Sequence, residues 1–242
     1  MFKLKITNFD RRIRFSVLAV LILTRVVIFA SAQGTTGTKG VKTSYQNFNV
    51  EVFCCIQDEQ KMIADPQWLE ESWNLITRSI RIEKVYVETY RDNITLPEAD
   101  VKKLKNFFAG KGVKVSGGIM ASVAGPPGDR LNGFCYSNPA DREKFRQIVA
   151  YTASLFDEII FDDLFIFNCQ CDLCQKAKGN MTWAEYRLNV MKEVGEDLVV
   201  RNARSVNPGI RLIFKPPNWY EQYQFSGYNL ESQPKVFDEI WA

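Results

Sequence analysis

Asp162 and Asp163 stand side by side at the end of the apolar run Ile159-Ile160-Phe161, and Cys169, Cys171 and Cys174 follow closely. A carboxylate at the C-terminal end of a buried parallel strand is a candidate for catalysis. The sequence contains no histidine, which removes Ser-His-Asp and Cys-His nucleophile systems, imidazole acid-base chemistry and histidine metal sites. Asp and Glu remain. A pair of them hydrolyses acetals without a cofactor, one donating a proton and the other acting as nucleophile or base. Adjacent carboxylates raise each other's pKa and partial burial adds to this, so one of the pair is suited to hold a proton near neutral pH. On a regular strand the two point to opposite sides, so only one is expected to face substrate. The other would cap the next loop or pair with a cation such as Lys215 or Arg91.

The cysteines form Cys169-x-Cys171-x-x-Cys174, and Cys135 lies in the preceding strand-to-helix loop, where the fold would bring it alongside. Four thiolates suit a structural zinc. Disulfides are the other reading, because an exported chain permits them and the cysteine count is even. Cys54 and Cys55 fall in a predicted strand, and a catalytic cysteine is disfavoured without a histidine partner.

The elements that would position these groups alternate along the chain. Strands are expected over Phe48 to Ile56, Glu83 to Glu88, Val113 to Met120, Asp157 to Asp163 and Ile210 to Lys215. Helices are expected over Pro66 to Ile80, Pro97 to Phe108, Asn138 to Leu155 and Thr182 to Val206. Pro66 suits a first helical turn and Asn138 an N-cap. Phe156-Asp157-Glu158-Ile159 recurs as Phe237-Asp238-Glu239-Ile240 at the start of a sixth strand. Regular alternation predicts parallel α/β architecture. The first strand is not followed by a glycine-rich phosphate turn, which argues against a doubly wound dinucleotide fold. A (β/α)8 barrel of TIM type takes roughly 250 residues, so the expectation is such a barrel incomplete at its C-terminus, with about six strands over residues 48–242.

Residues 1–32 resemble an export signal: Lys3, Lys5, Arg11, Arg12 and Arg14 precede an apolar run, and Ala30-Ser31-Ala32 offers a cleavage point before Gln33. An uncleaved anchor is the alternative. Residues 33–47 read as a flexible lead-in. The leader carries six of the 31 Lys and Arg and one of the 28 Asp and Glu, so the remainder is slightly acidic and offers no nucleic-acid footprint. No stable membrane span is expected after signal cleavage, and the localisation expected is periplasmic or extracellular. Sequons at Asn93 and Asn180 matter only in a cell that glycosylates.

In a barrel the loops after the strands share one rim. That rim would carry Gln57, Asp58 and Glu59, then Glu88, Tyr90, Arg91 and Asp92, then Ser122, Asp162 and Asp163, and finally Lys215, Asn218, Trp219 and Tyr220. Carboxylates, amides and aromatics together suit a polyhydroxylated ligand, since aromatic faces pack on sugar rings. Glu88 is a candidate second carboxylate or hydroxyl-binding group, or else a partner for Arg91. Tyr90, Arg91, Lys215, Asn218, Trp219 and Tyr220 are the candidate substrate contacts.

The segment FDEIIFDDLFIF resembles the fourth-strand region of secreted glycosyl-hydrolase-like barrels, and NCQCDLCQKAKG followed by TWAEYR is similar to the loop and helix after the acid/base position in zinc-containing β-galactosidases. The resemblance covers roughly 50 residues. It implies that Asp162 or Asp163 is the fourth-strand catalytic carboxylate and that Cys135, Cys169, Cys171 and Cys174 hold zinc. Those galactosidases carry Asn-Glu where this chain has Asp162-Asp163, and their nucleophile follows a seventh strand. The expectation is therefore a glycoside hydrolase acting on O-glycosidic bonds of a carbohydrate substrate, with Asp162, Asp163 and Glu88 as catalytic candidates. The alternatives are a non-catalytic carbohydrate-binding or degenerate barrel, and a metal-thiolate module.

Overall fold

The computed structural model describes residues 47–125, 132–216 and 222–241. Its elements run in the order β1 (Val50–Cys54), α1 (Ile56–Ala64), α2 (Pro66–Thr77), β2 (Ile82–Arg91), β3 (Ile94–Thr95), α3 (Glu98–Gly110), β4 (Lys114–Ile119), α4 (Pro139–Leu155), β5 (Glu158–Phe161), α5 (Asp172–Lys178) and α6 (Trp183–Glu193). The last continues through π-helical Val194–Arg201 into α7 (Asn202–Val206), followed by β6 (Arg211–Phe214), α8 (Tyr223–Ser226) and β7 (Glu239–Ile240).

The sheet order is β1-β2-β4-β5-β6-β7, and every pair on that path is parallel. Among the described strands only β3 runs antiparallel, beside β2, through a turn in which Asp92 and Asn93 both take positive φ, 48° and 68°. Asp and Asn tolerate that left-handed region better than other non-glycine residues. Strands paired in sequence order, joined by right-handed crossovers, keep their helices on one face. The other face curls inward. Tyr86 on β2 meets Trp241 beyond β7 edge to face, ring centroids 5.7 Å apart, although β4, β5 and β6 lie between them in the sheet. The architecture is a curled half-barrel, as the alternation predicts.

Period-two alternation sorts the side chains. Val85, Val87, Ile159, Phe161, Leu212 and Phe214 face the helices. Tyr86, Ile160 and Ile213 pack on the inner face with Phe53 and Trp241. At Gly118 a Cβ would lie 2.6 Å from the Phe53 ring, and at Gly117 one would lie 2.8 Å from Phe156, so β4 has no room for a side chain on either face there. Below the inner aromatics Lys84 bridges Glu51 at 3.4 Å and Glu158 at 2.7 Å. Arg211 pairs with Glu239 and lies 3.5 Å from Glu158. These pairs satisfy one another at the N-terminal end of the strands, away from the rim.

The helix-side core is aromatic. α4 buries Phe145, Ile148, Val149, Thr152 and Ala153, the spacing of one helical stripe, and Phe145 stacks on Phe165 at 5.8 Å. Asn138 caps α4 by accepting from Ala140 N, and Thr182 with Glu185 forms a capping box at the start of α6. Two expectations change. The first strand ends at Cys54, so Ile56 to Glu59 are the first turn of α1 rather than strand end and rim loop, and the predicted helix to Ile80 ends at Thr77. The expected leader lies outside the described residues. Among the described residues no helix is long and apolar enough to cross a membrane.

Candidate active site and cysteine cluster

The inner-face alternation that buries Tyr86, Ile160 and Ile213 brings Glu88, Asp162 and Lys215 to the C-terminal ends of β2, β5 and β6. Lys215 Nζ donates to Asp162 Oδ1 at 2.5 Å and to Asp163 Oδ1 at 2.5 Å. Here the structure corrects the expectation that the aspartates diverge. β5 ends at Phe161, the chain turns as Phe165 N bonds the Asp162 carbonyl at 3.2 Å, and strand alternation no longer governs Asp163. Both carboxylates therefore converge on one ammonium. Their bonded oxygens, each 2.5 Å from the same nitrogen, are at most 5.0 Å apart. Tyr228 donates its hydroxyl to the Asp163 carbonyl and anchors the turn from a distant segment.

Burial pushes the Asp163 carboxyl above its ordinary pKa, and the Asp162 charge adds to this, while the Lys215 hydrogen bond opposes it. For Lys215 burial acts downward, but its bonds to both aspartates outweigh that and hold its pKa above the ordinary lysine value. Asp163 and Lys215 keep side-chain exposures of 41% and 38%, whereas Asp162 keeps 13%. Asp163 is thus the member of the pair open to a ligand at the rim.

Beside this trio, β2 and α1 cap each other. The N-cap of α1, Cys55, makes no side-chain cap bond. Instead Glu88 Oε2 accepts from Ile56 N at 2.7 Å, and Glu59 Oε1 accepts from Glu88 N at 2.6 Å. The carboxylate of Glu88 therefore serves the helix N-terminus, where it also meets the positive end of the dipole. The carboxyl of Glu59 takes the strand N–H left over where β1 has ended. Glu88 Oε2 also accepts from Arg91 Nε at 2.8 Å, and Arg91 Nη2 reaches Cys55 Sγ at 3.9 Å. Burial raises the Glu88 pKa while the Arg91 bond and the Ile56 N–H oppose the rise. Burial lifts Glu59 further, to about 9, with the Glu88 backbone bond acting against it.

The candidate residues thus divide. Asp162, Asp163 and Lys215 form one constellation, and Glu88 with Arg91 forms a second whose carboxylate is fully buried. Arg91 keeps a partly exposed guanidinium at the rim. Tyr90, expected as a substrate contact, is fully buried in the helix-side core against Phe134, because a bulge between Glu88 and Tyr90 resets the alternation of β2. Asn218, Trp219 and Tyr220 lie outside the described residues. Sequence reading did not single out Cys55 or Tyr228. Strand alternation was a signal for Cys55, but nothing local ties Tyr228 to Asp163.

Cys135, Cys169, Cys171 and Cys174 come together as a second centre, their Sγ atoms all within 4.8 Å of one another. Cys135 Sγ lies 3.6 Å from both Cys171 and Cys174, and Cys171 lies 3.7 Å from Cys174. A disulfide needs about 2.05 Å. Thiolates about 2.3 Å from a tetrahedral zinc are roughly 3.8 Å apart, so spacing and donor set fit that ion. Ser137 Oγ donates to Cys174 Sγ at 3.2 Å, the kind of outer contact that orients a ligand. Cys171 is the N-cap residue of α5, and chiefly the Cys174 backbone N–H lowers its pKa to about 7.

Residues 37–242 match the family described as "Probable glycosyl hydrolase, catalytic domain". An uncharacterized protein of Saccharolobus solfataricus is 25% identical over 68% of this chain, and the chain spans about a third (32%) of that relative's length. Among solved structures, the virulence factor SghA in complex with its substrate analogue salicin aligns at TM-score 0.39 and 11% identity, over 63% of this chain and 36% of that one. An exo-β-1,4-mannosidase from Opitutaceae bacterium strain TAV5 aligns at TM-score 0.40 and 12% identity, over 76% and 37%.

Proposed function

The chain belongs to the probable glycosyl hydrolase catalytic-domain family, and on that premise we propose that it cleaves O-glycosidic bonds of an extracellular or periplasmic carbohydrate through Asp162 and Asp163. The observation that carries this reading is the convergence of the two carboxylates on Lys215 at the strand ends. Asp163 is the proton donor, because burial raises its pKa and it is open at the rim. Asp162 is the carboxylate that attacks or stabilises the sugar cation. Their bonded oxygens, at most 5.0 Å apart, lie closer than the roughly 6.5–9.5 Å across which an inverting pair holds its water. Lys215 keeps the pair oriented, and Lys215 and Arg91 offer donors to sugar hydroxyls.

The test is a panel of aryl glycosides. Turnover present in the native protein and lost in both Asp162→Asn and Asp163→Asn, with folding intact, supports the assignment. The second reading is a non-catalytic carbohydrate-binding barrel. It is favoured by the single lysine that occupies both carboxylates, and it predicts sugar binding without turnover. For the cysteine cluster the reading is a structural zinc held by Cys135, Cys169, Cys171 and Cys174. Four thiolates leave no open position on the ion, so its contribution is to bind the loop after β5 to the segment before α4. Export of the chain by its first 32 residues is part of the same proposal.

A further inference from the structure

Glu59 and Glu88 are both fully buried, and Arg91 Nε bonds only Glu88, at 2.8 Å. Two neighbouring buried carboxyls with one cation bonded to them among the described residues, at Glu88, do not both ionise, since the second charge would pay its desolvation for a single amide bond. Glu59 Oε1 has that amide, Glu88 N, at 2.6 Å. Its Oε2 is buried and has no hydrogen-bond partner among the described residues, and neither has Glu88 Oε1. One of these oxygens can carry a proton, and the other is an acceptor without a donor. Glu88 is the member that meets the guanidinium and the start of α1, so Glu59 is the neutral one.

We propose that Glu59 is a protonated positioning residue, which fixes the backbone of Glu88 and through it sets Arg91 at the mouth of the half-barrel. A change at Glu59 would reach the rim in two bonds: Glu59 to Glu88 N, and the Glu88 carboxylate to Arg91 and Ile56 N. The charged and titratable groups acting on Glu59 are Glu88 and Arg91 from β2, Cys54 from β1 and Asp58 from its own helix. Burial outweighs them and raises its pKa from 4.5 to about 9. The folded state therefore binds a proton that the unfolded state gives up, and stability falls as pH rises across that window. This role deepens the glycosidase reading, but its first two readouts do not depend on it.

The experiment compares wild type, Glu59→Gln and Glu59→Ala. Infrared difference spectra at pH 7 are expected to show a protonated carboxyl carbonyl band in wild type that is missing in Glu59→Gln. Urea unfolding from pH 5 to pH 9 is expected to show a fall in stability that is smaller in Glu59→Gln, the remainder coming from other carboxyls with raised pKa such as Glu88 and Asp163. Aryl-glycoside turnover is expected to survive in Glu59→Gln within about threefold and to fall at least tenfold in Glu59→Ala, because glutamine keeps the acceptor for Glu88 N. Absence of the band at pH 7, or equal damage in the two variants, overturns the proposal. If wild type turns over no glycoside, the glycosidase reading fails, while the band and the pH dependence of unfolding still decide the state of Glu59.

Discussion

Arg91→Met removes the guanidinium bonded to a carboxylate with no solvent exposure. Glu88 is 0% exposed and Arg91 19%, with Nε 2.8 Å from Glu88 Oε2. Breaking a buried pair by deleting one partner costs about 3–5 kcal/mol, because the remaining charge keeps its desolvation penalty. Arg91 is partly wet and Ile56 N still bonds Glu88 at 2.7 Å, which places the expected loss at the lower limit, about 3 kcal/mol at pH 7. For a domain of this size that is roughly 6–12 °C in Tm. The sign with pH follows from Glu88, whose folded-state pKa is raised from 4.5 even with Arg91 present. Without Arg91 it rises further, so the deficit is largest at and above pH 7 and shrinks as pH falls below the folded-state pKa, where Glu88 is protonated in the native protein and in the variant alike. Urea unfolding at pH 7 and pH 5 measures both quantities. Glu88→Gln with Arg91→Met is expected to return to within about 1.5 kcal/mol of wild type, since glutamine still accepts from Ile56 N without a charge. A deficit under about 1 kcal/mol at pH 7, or the same deficit at both pH values, refutes the claim that Glu88 is a buried carboxylate held by Arg91.

Other outcomes follow from the remaining contacts. Purified protein is expected to hold one zinc per chain and no disulfide among the four clustered cysteines, and Cys174→Ser to lose the metal and about 5 °C or more in Tm, by metal analysis, thiol titration and calorimetry. Lys215→Met removes the group that opposes the raised Asp163 pKa. The pH above which Asp163 loses its proton should then move up, read from the alkaline limb of kcat/KM, with activity reduced roughly tenfold. Gly118→Ala sets a Cβ 2.6 Å from the Phe53 ring and 3.5 Å from Glu88 Cα. It is expected to cost about 1–3 kcal/mol in urea unfolding, and Phe53→Leu in the same chain to recover part of that.

Much of the scaffold was readable from local pattern. Asn138 and Thr182 start helices because their side chains cap N–H groups two and three residues away, and such short-range chemistry is written in adjacent letters. The apolar run Ile159-Ile160-Phe161 forms a strand buried on both faces for the same reason. The first turn of α1 was not readable as a helix start, because its cap comes from Glu88, 32 residues away. The bulge that turns Tyr90 into the core likewise depends on the register with β4.

The sequence by itself determined the βα alternation, the acidic pair at a strand end and the Cys-x-Cys-x-x-Cys spacing, since each rests on a period of two or 3.6 residues or on direct neighbours. Only the tertiary structure decided which groups meet. Lys215 reaches Asp162 and Asp163 from 53 and 52 residues away, Cys135 reaches Cys171 and Cys174 from 36 and 39, and Glu59 meets the Glu88 backbone from 29. Each pairing exists because parallel strands brought into register by crossover helices set their ends side by side and the curl of the sheet turns those ends inward. The same closure withdraws water from Glu59 and Glu88, and burial, which no local pattern encodes, decides which carboxyl holds a proton.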